Sequence, residues 1–269
     1  MVIYEFIKAF ILGVVQGITE WLPISSTGHL ILIEDYLEFN LSHSFVSTFF
    51  VVIQMGSILA VFVLFFKELT PFKADKQERT DTLNLWLKIA VATIPAAVAG
   101  FLFEEQIDNL LYNPITVAVM LILYGIIFII MENQCRRPTV ESLKAISYKL
   151  ALGIGLFQML ALVPGTSRSG ATIVGAMFLG VSRIVVAEFS FFLAIPTMIG
   201  ASALKLYKLG FDFSGVELMV LLVGSITAFV VSMWAIKFLL DYIKKYSFKP
   251  FGYYRIVLGL LVLAVYLLD

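Results

Sequence analysis

The chain has 269 residues, of which 60% are hydrophobic and only 14% charged, and its 19 Lys and Arg balance its 19 Asp and Glu. Soluble domains carry about 25% charged and 45–50% apolar residues, so the composition excludes an ordinary soluble enzyme and a disordered chain. Zero net charge leaves no basic surface for a nucleic acid; one cysteine, Cys135, excludes a disulfide framework or cysteine zinc site, and two histidines, His29 and His43, exclude a polyhistidine metal centre.

The remaining class is an all-α polytopic membrane protein. A helix that crosses the bilayer needs roughly 20 mostly apolar residues. The first apolar region, 1–37, is broken by Glu20, Pro23 and the run Ser25-Ser26-Thr27-Gly28-His29. Residues 1–4 lack a basic n-region and no cleavage site follows, so this start does not read as a signal peptide. Clean spans follow at about 45–66, 85–103 and 115–131, and the charged stretch 67–81 between the first two must lie in water. The next apolar region, 148–180, is broken by Pro164-Gly165-Thr166-Ser167-Arg168-Ser169-Gly170. Three further spans occupy about 185–206, 216–240 and 253–268. Unpaired backbone is costly in lipid unless it is buried in protein or lines a cavity. Each break therefore reads as the polar tip of a re-entrant hairpin made of two short helices.

The halves resemble each other. Gly13-Val14-Val15-Gln16 precedes the first break and Gly155-Leu156-Phe157-Gln158 the second; Pro23 and Pro164 follow, and then Ser-rich tips ending at Gly28 and Gly170. The expected organisation is a single membrane domain, 1–269, with one repeat over about 1–133 and another over about 146–269. Three full spans per unit is odd, so the second unit enters the membrane upside down, and the site of an inverted repeat lies where broken helices meet near the midplane. Lys67, Lys73, Lys76, Arg79, Arg136, Arg137, Lys144, Arg183, Lys244, Lys245 and Lys249 fall on one side, against Lys205 and Lys208 on the other. The first side is expected to be cytoplasmic, which puts both termini outside.

Ionisable groups inside a membrane are functional candidates. Glu20 lies in an apolar helix, one turn after Gln16 on the same face. Ser25, Ser26 and His29 follow closely, so an acid, two hydroxyls and an imidazole fall together, the parts of acid–base or nucleophilic chemistry. In the second break, Thr166, Ser167 or Ser169 is placed to cap the next helix. A helix N-terminus favours anions, and Arg168 adds a forked cation suited to phosphate. A purely structural Arg168–Glu20 pair is the plainer alternative. Gln54 and Glu188 are weaker candidates for the same cavity. Trp21, Trp86 and Trp234 are expected at the membrane interfaces, as is His43.

Gln16-x-x-x-Glu20 with Pro23-x-Ser25-Ser26-Thr27-Gly28-His29, and Pro164-Gly165-Thr166-Ser167-Arg168-Ser169-Gly170-Ala171-Thr172, together resemble the undecaprenyl-diphosphate phosphatase family, also known for bacitracin resistance. The resemblance covers the whole chain in length, span pattern and motif order. It implies a bacterial inner-membrane enzyme that converts undecaprenyl diphosphate to undecaprenyl phosphate at the outer face, recycling the carrier for wall polymers. It also implies the inverted repeat with two re-entrant hairpins. By resemblance Glu20, Ser26, His29 and Arg168 are catalytic, Ser26 being a candidate nucleophile, and Ser167 and Thr172 bind phosphate beside Arg168. Gln16, Ser25, Thr27, Gly165, Thr166 and Ser169 complete the substrate-binding set. A divalent cation, Mg2+ or Ca2+, is implied, with Glu20 its carboxylate; position 16, Glu or Gln in the family, is Gln here. The nucleophile stays open between Ser26, His29 and water. The expected partners are the lipid substrate and membrane lipids, with no nucleic acid, and a homodimer is left open. The alternative of a different class is a transporter that flips the polyprenyl phosphate.

Overall fold

The computed structural model describes residues 2–33, 37, 39, 41, 43–134, 137–209 and 213–268. Cys135, Arg136 and the side chains of His43, Lys205 and Lys208 lie outside the described residues. The fold is all helical: α1 (Val2–Thr19), α2 (Ser26–Ile33), α3 (His43–Leu64), α4 (Phe66–Leu69), α5 (Lys76–Leu111), α6 (Pro114–Asn133), α7 (Tyr148–Met159), α8 (Arg168–Phe178), α9 (Arg183–Leu209), α10 (Gly215–Ile243) and α11 (Lys249–Leu268).

Local chemistry sets the boundaries. Asn113 accepts the Thr116 amide and Pro114 supplies the first helical residue of α6, where its missing N–H costs nothing. Ser147 caps α7 through the Leu150 amide, and Ser214 with Glu217 forms a reciprocal box at the start of α10. Each break of α1 and α7 comes where proline removes a donor and clashes with the preceding turn.

Six helices are long and apolar enough to cross a membrane: Val2–Thr19, Lys76–Phe103, Pro114–Asn133, Arg183–Ala203, Gly215–Ile243 and Lys249–Leu268. The protein is a polytopic membrane protein. Helix α3 covers residues 45–64 of the span expected at 45–66, and its apolar part, Thr48–Leu64, is shorter than the six. Helix α1 differs from expectation. With 18 residues it is not a short hairpin arm, because no proline interrupts it before Pro23, and at 1.5 Å per residue it reaches about 27 Å. Helices α2 and α8 are short, with 8 and 11 residues.

Close approach of backbones, rather than a water-driven core, holds such helices together in lipid. Gly13 and Gly17 lie against Gly224 and Ala228 where α1 crosses α10. Gly125 and Gly252 face each other across α6 and α11, each so near the other's carbonyl that a Cβ would sit 2.7 Å from it. Away from these seams, Arg183 bonds the buried Glu132 through two nitrogens, and Glu132 also accepts the Phe248 amide, so α6, α9 and the start of α11 are tied at one end. Helices α2 and α8 pack inside this frame, α2 on α6 and α11, α8 on α6, α7 and α9. The two breaks therefore meet in the interior.

Candidate active site at two helix breaks

Ser25 and Ser167 stand immediately before α2 and α8 with φ of 71° and 70°, the only described non-glycine residues in the left-handed region. That conformation costs roughly 1–2 kcal/mol for an L-residue, and such strain collects at functional sites. Each serine then caps the helix it opens: Ser25 Oγ accepts the Gly28 amide at 3.4 Å and Ser167 Oγ the Gly170 amide at 3.2 Å. Gly165, at φ 89°, lets the second break touch α6, since a Cβ there would lie 2.5 Å from the Val117 carbonyl oxygen.

Arg168, the first residue of α8, reaches across to the first break. Its Nη2 meets Glu20 Oε1 at 3.1 Å, and its Nη1 donates to the Ser190 carbonyl at 2.8 Å. Gln16, one turn before Glu20, donates to Oε2 at 3.1 Å. The Arg168 guanidinium also lies over the Trp21 ring, 5.7 Å from its centroid. Ser169 Oγ lies 3.4 Å from the Leu22 carbonyl oxygen and 3.5 Å from that of Glu20, and Ser167 and Ser169 hydroxyls are 3.1 Å apart. Thr172 shares a 2.6 Å hydrogen bond with Ser190 Oγ. Ser169, Thr172 and Thr166 are fully buried, so they sit behind Arg168, whereas Ser26 and Thr27 are half-buried in the first turn of α2.

His29 is held at both ring nitrogens, and neither partner is Glu20. Nδ1 lies 2.7 Å from the Ser25 carbonyl oxygen, which only accepts, so Nδ1 carries the proton. Nε2 then accepts from the Tyr254 hydroxyl at 2.8 Å, and the two rings stack with centroids 5.6 Å apart. This tautomer leaves the lone pair on Nε2, the atom a general base needs.

Three residues of this constellation escaped the sequence reading. Ser190 is an ordinary hydroxyl in an apolar helix and carries no distinctive pattern. Tyr254 and Arg255 open the apolar part of α11, where they read as flanking residues. An arginine inside an apolar helix was itself a signal. Arg255 is completely buried and donates to Pro23 O at 3.2 Å and to Gly165 O and Thr166 O, both at 2.9 Å. Trp21 is corrected too: expected at the interface, it is fully buried, edge-on to Phe191 and beneath Arg168. Its ring stays inside because it backs the guanidinium. Trp234 is exposed on the outer surface of α10, nine residues before its end. Glu188 is half-buried with Glu68 and Lys244 as its charged neighbours, rather than the two breaks.

The site is rich in donors. Trp21 Nε1, Arg168 Nε and Arg255 Nε are buried without an acceptor, and the Thr166 hydroxyl is buried without a partner. Each such group costs about 1–3 kcal/mol when left unpaired. The surplus N–H groups of Trp21 and Arg168 beside one carboxylate suit an anion with several oxygens. For a divalent cation the protein offers Glu20 alone here; among the described residues no three His, Cys, Asp or Glu side chains cluster. That donor set suits a cation held chiefly by substrate phosphates with one carboxylate, the usual manner of Mg2+.

The chain matches the family described as Bacitracin resistance protein BacA over residues 9–261. It is 60% identical over 266 residues to Undecaprenyl-diphosphatase 1 of Clostridioides difficile, covering 98% of this chain and 97% of that protein. It is 54% identical to Undecaprenyl-diphosphatase of Enterococcus faecalis, over 97% of each chain, and 57% identical to that of Acetivibrio thermocellus, over 98% of each.

Proposed function

The chain belongs to the bacitracin resistance protein BacA family, and from that premise we propose that it hydrolyses undecaprenyl diphosphate to undecaprenyl phosphate and inorganic phosphate. The observation that carries the reading is the crossing of the two breaks by Arg168, which sets a forked cation among unpaired N–H donors and beside Glu20. A buried arginine and a donor surplus of this kind have little use in a membrane scaffold.

In the proposed mechanism the polyprenyl tail lies against the apolar exterior and the diphosphate enters between the breaks. Arg168 leaves part of its bond to Glu20 and takes phosphate oxygens, aided by the first amide groups of α8 and by Ser167. Donors fixed in a dry site stabilise the charge of the transferring phosphoryl group without reorganising, the main contribution in such reactions. Ser169, Thr172 and Ser190 hold Arg168 at that place. His29 Nε2, once Tyr254 yields it, takes the proton of the attacking oxygen, from Ser26 or from water, as that oxygen bonds the terminal phosphorus and the bridging P–O bond breaks to release undecaprenyl phosphate; on the Ser26 route water then cleaves the phosphoserine to inorganic phosphate and restores the hydroxyl. Glu20 would hold a divalent cation, Mg2+ or Ca2+, which would supply charge neutralisation on the phosphates.

An inverted repeat is part of the proposal. Exchange α1 with α7, α2 with α8, α3 with α9, α5 with α10 and α6 with α11. The α1–α10 contact then becomes α7–α5, α3–α10 becomes α9–α5 and α2–α11 becomes α8–α6, while α6–α11 and α3–α9 map onto themselves; all of these contacts occur. The lysine and arginine distribution supports an inner-membrane orientation with termini and site outward. In that setting the enzyme recycles the lipid carrier for wall synthesis and lowers sensitivity to bacitracin.

The test is phosphate release from undecaprenyl diphosphate by the purified protein in detergent, beside Glu20→Ala, His29→Ala and Arg168→Ala, with and without divalent cation. Activity in the wild type and its loss in all three variants is expected. A folded wild type that releases no phosphate with cation present overturns the reading. Retained turnover in Ser26→Ala removes Ser26 as the nucleophile.

A further inference from the structure

Arg255 has no task in that chemistry, yet it is the most enclosed charge among the described residues. It is completely buried, its guanidinium is 5.6 Å from the Tyr124 ring centroid, and no carboxylate among the described residues pairs with it. Its partners are backbone carbonyls: Pro23 in the first break, Gly165 and Thr166 in the second, and Met120 of α6 at 3.5 Å. Carbonyl dipoles solvate a cation but do not neutralise it, and burying an ion costs several kcal/mol unless a counter-charge is supplied.

Two consequences follow from this arrangement. Broken helices leave carbonyls without intrahelical donors, and in a site closed to water these must find donors elsewhere. One planar fork satisfies carbonyls of both breaks at once and so fixes their separation. The charge at the breaks is also unbalanced. Glu20 offsets Arg168, and no described carboxylate offsets Arg255, so Arg255 leaves a net positive charge. That charge lies under the first turn of α8, because a Cβ on Gly170 would stand 3.2 Å from Arg255 Nη1.

We propose that Arg255 is a positioning residue for the phosphatase reaction, holding the two helix breaks at a fixed separation and keeping beneath α8 a positive charge that the anionic head group neutralises. The proposal rests on the phosphatase reading above. Arg255 acts through the backbone of Gly165 and Thr166 and through its field, without touching substrate.

The experiment uses the full-length protein in detergent, with Arg255→Lys, Arg255→Met and Gly170→Ala. It measures kcat and KM on undecaprenyl diphosphate, and inorganic pyrophosphate binding by thermal shift. Lys keeps the charge but loses the fork, so kcat is expected to fall by about 100-fold, as for a misplacement near 1 Å, while the pyrophosphate Kd changes less than about threefold. Met removes both charge and fork, and the pyrophosphate Kd is expected to weaken by about tenfold or more as well. Gly170→Ala crowds Ser167 Cβ at 3.3 Å as well as the Arg255 guanidinium at 3.2 Å, so it is made in a Ser167→Gly background, where only Arg255 is displaced, and there it decides the matter should both Arg255 variants fail to fold; a kcat loss of about tenfold relative to Ser167→Gly is expected. If the wild type turns over and the folded variants match its kcat and Kd within threefold, the proposal fails and the phosphatase reading stands. If the wild type binds pyrophosphate without turnover, the phosphatase reading fails and the Kd of Arg255→Met alone decides the role of Arg255. A wild type that does not bind pyrophosphate overturns the proposal.

Discussion

Ser25 and Ser167 are one joint used twice. Both take a left-handed φ near 70°, both immediately precede a short helix, and both cap it at the residue three positions on, Gly28 and Gly170. Superposing the joints places Ser26 where the other break has Arg168. Two equivalent helix starts thus carry different chemistry, a hydroxyl on one side and a guanidinium on the other. Two similar turns thus form an asymmetric site, with Ser26 and His29 on one side against Arg168 and Ala171 on the other.

The joint can be tested by separating strain from capping. Ser167→Ala loses the cap and keeps the left-handed strain, so it is expected to destabilise by about 1 kcal/mol. Ser167→Gly loses the same bond but removes roughly 1–2 kcal/mol of strain, so it should match or exceed the wild type in stability. Melting midpoints in detergent check the order Gly above Ala. The reverse order would mean that the φ of Ser167 carries no strain.

Arg168→Lys tests the forked contact. Lysine offers a point charge in place of a planar fork, so it cannot hold Ser190 O and Glu20 in the geometry that Nη1 and Nη2 share. Loss of one preorganised donor commonly costs about 100-fold to 1,000-fold in kcat. Steady-state phosphate release should show that loss with intact expression and melting behaviour. Near-wild-type turnover would reduce Arg168 to a simple positive charge.

The membrane class, the two breaks and the spans other than α1 were legible because Pro, Gly, Ser and charge inside apolar sequence have few other uses. Glu20 and Arg168 stood out for the same reason. What could not be read was the direction side chains face. Arg255 follows Lys249 closely enough to pass as an interfacial flank, and only the packing of α11 on α2 and α6 turns it inward. Trp21 went the other way, because a general preference of tryptophan for interfaces yields to a cation needing an aromatic face. His29 was readable as a candidate, but its tautomer depends on Ser25 O and Tyr254, which are local and distant neighbours respectively.

Gln16→Glu probes the cation. Gln16 and Glu20 lie one helical turn apart and their side chains already touch at 3.1 Å. A second carboxylate there gives a cation two acidic ligands, a common arrangement for Mg2+ with substrate phosphates. The cation concentration for half-maximal activity should fall by about tenfold. Without added cation the like-charged pair should lower the melting point, since adjacent carboxylates repel. Titration of activity against Mg2+ and Ca2+ measures the first effect, and unchanged cation dependence would remove Glu20 from the cation's surroundings.

Gly155 and Gly200 are both helical glycines, and the structure gives opposite expectations for them. A Cβ on Gly155 would lie 2.2 Å from the Ala92 carbonyl oxygen, backbone against backbone where α7 crosses α5. Neither helix can yield without moving the other, so Gly155→Ala should destabilise by about 1–3 kcal/mol, as overpacking does. Because α7 leads into the second break, turnover should fall with it. Gly200 has nothing within 4 Å of its Cβ position and is exposed on α9. Gly200→Ala there removes only the backbone freedom of glycine and should stabilise by about 0.5–1 kcal/mol. Melting midpoints and kcat of the two variants, prepared together, check the contrast. A Gly155→Ala protein as stable and active as Gly200→Ala would mean that α5 and α7 do not approach as closely as the Ala92–Gly155 contact requires.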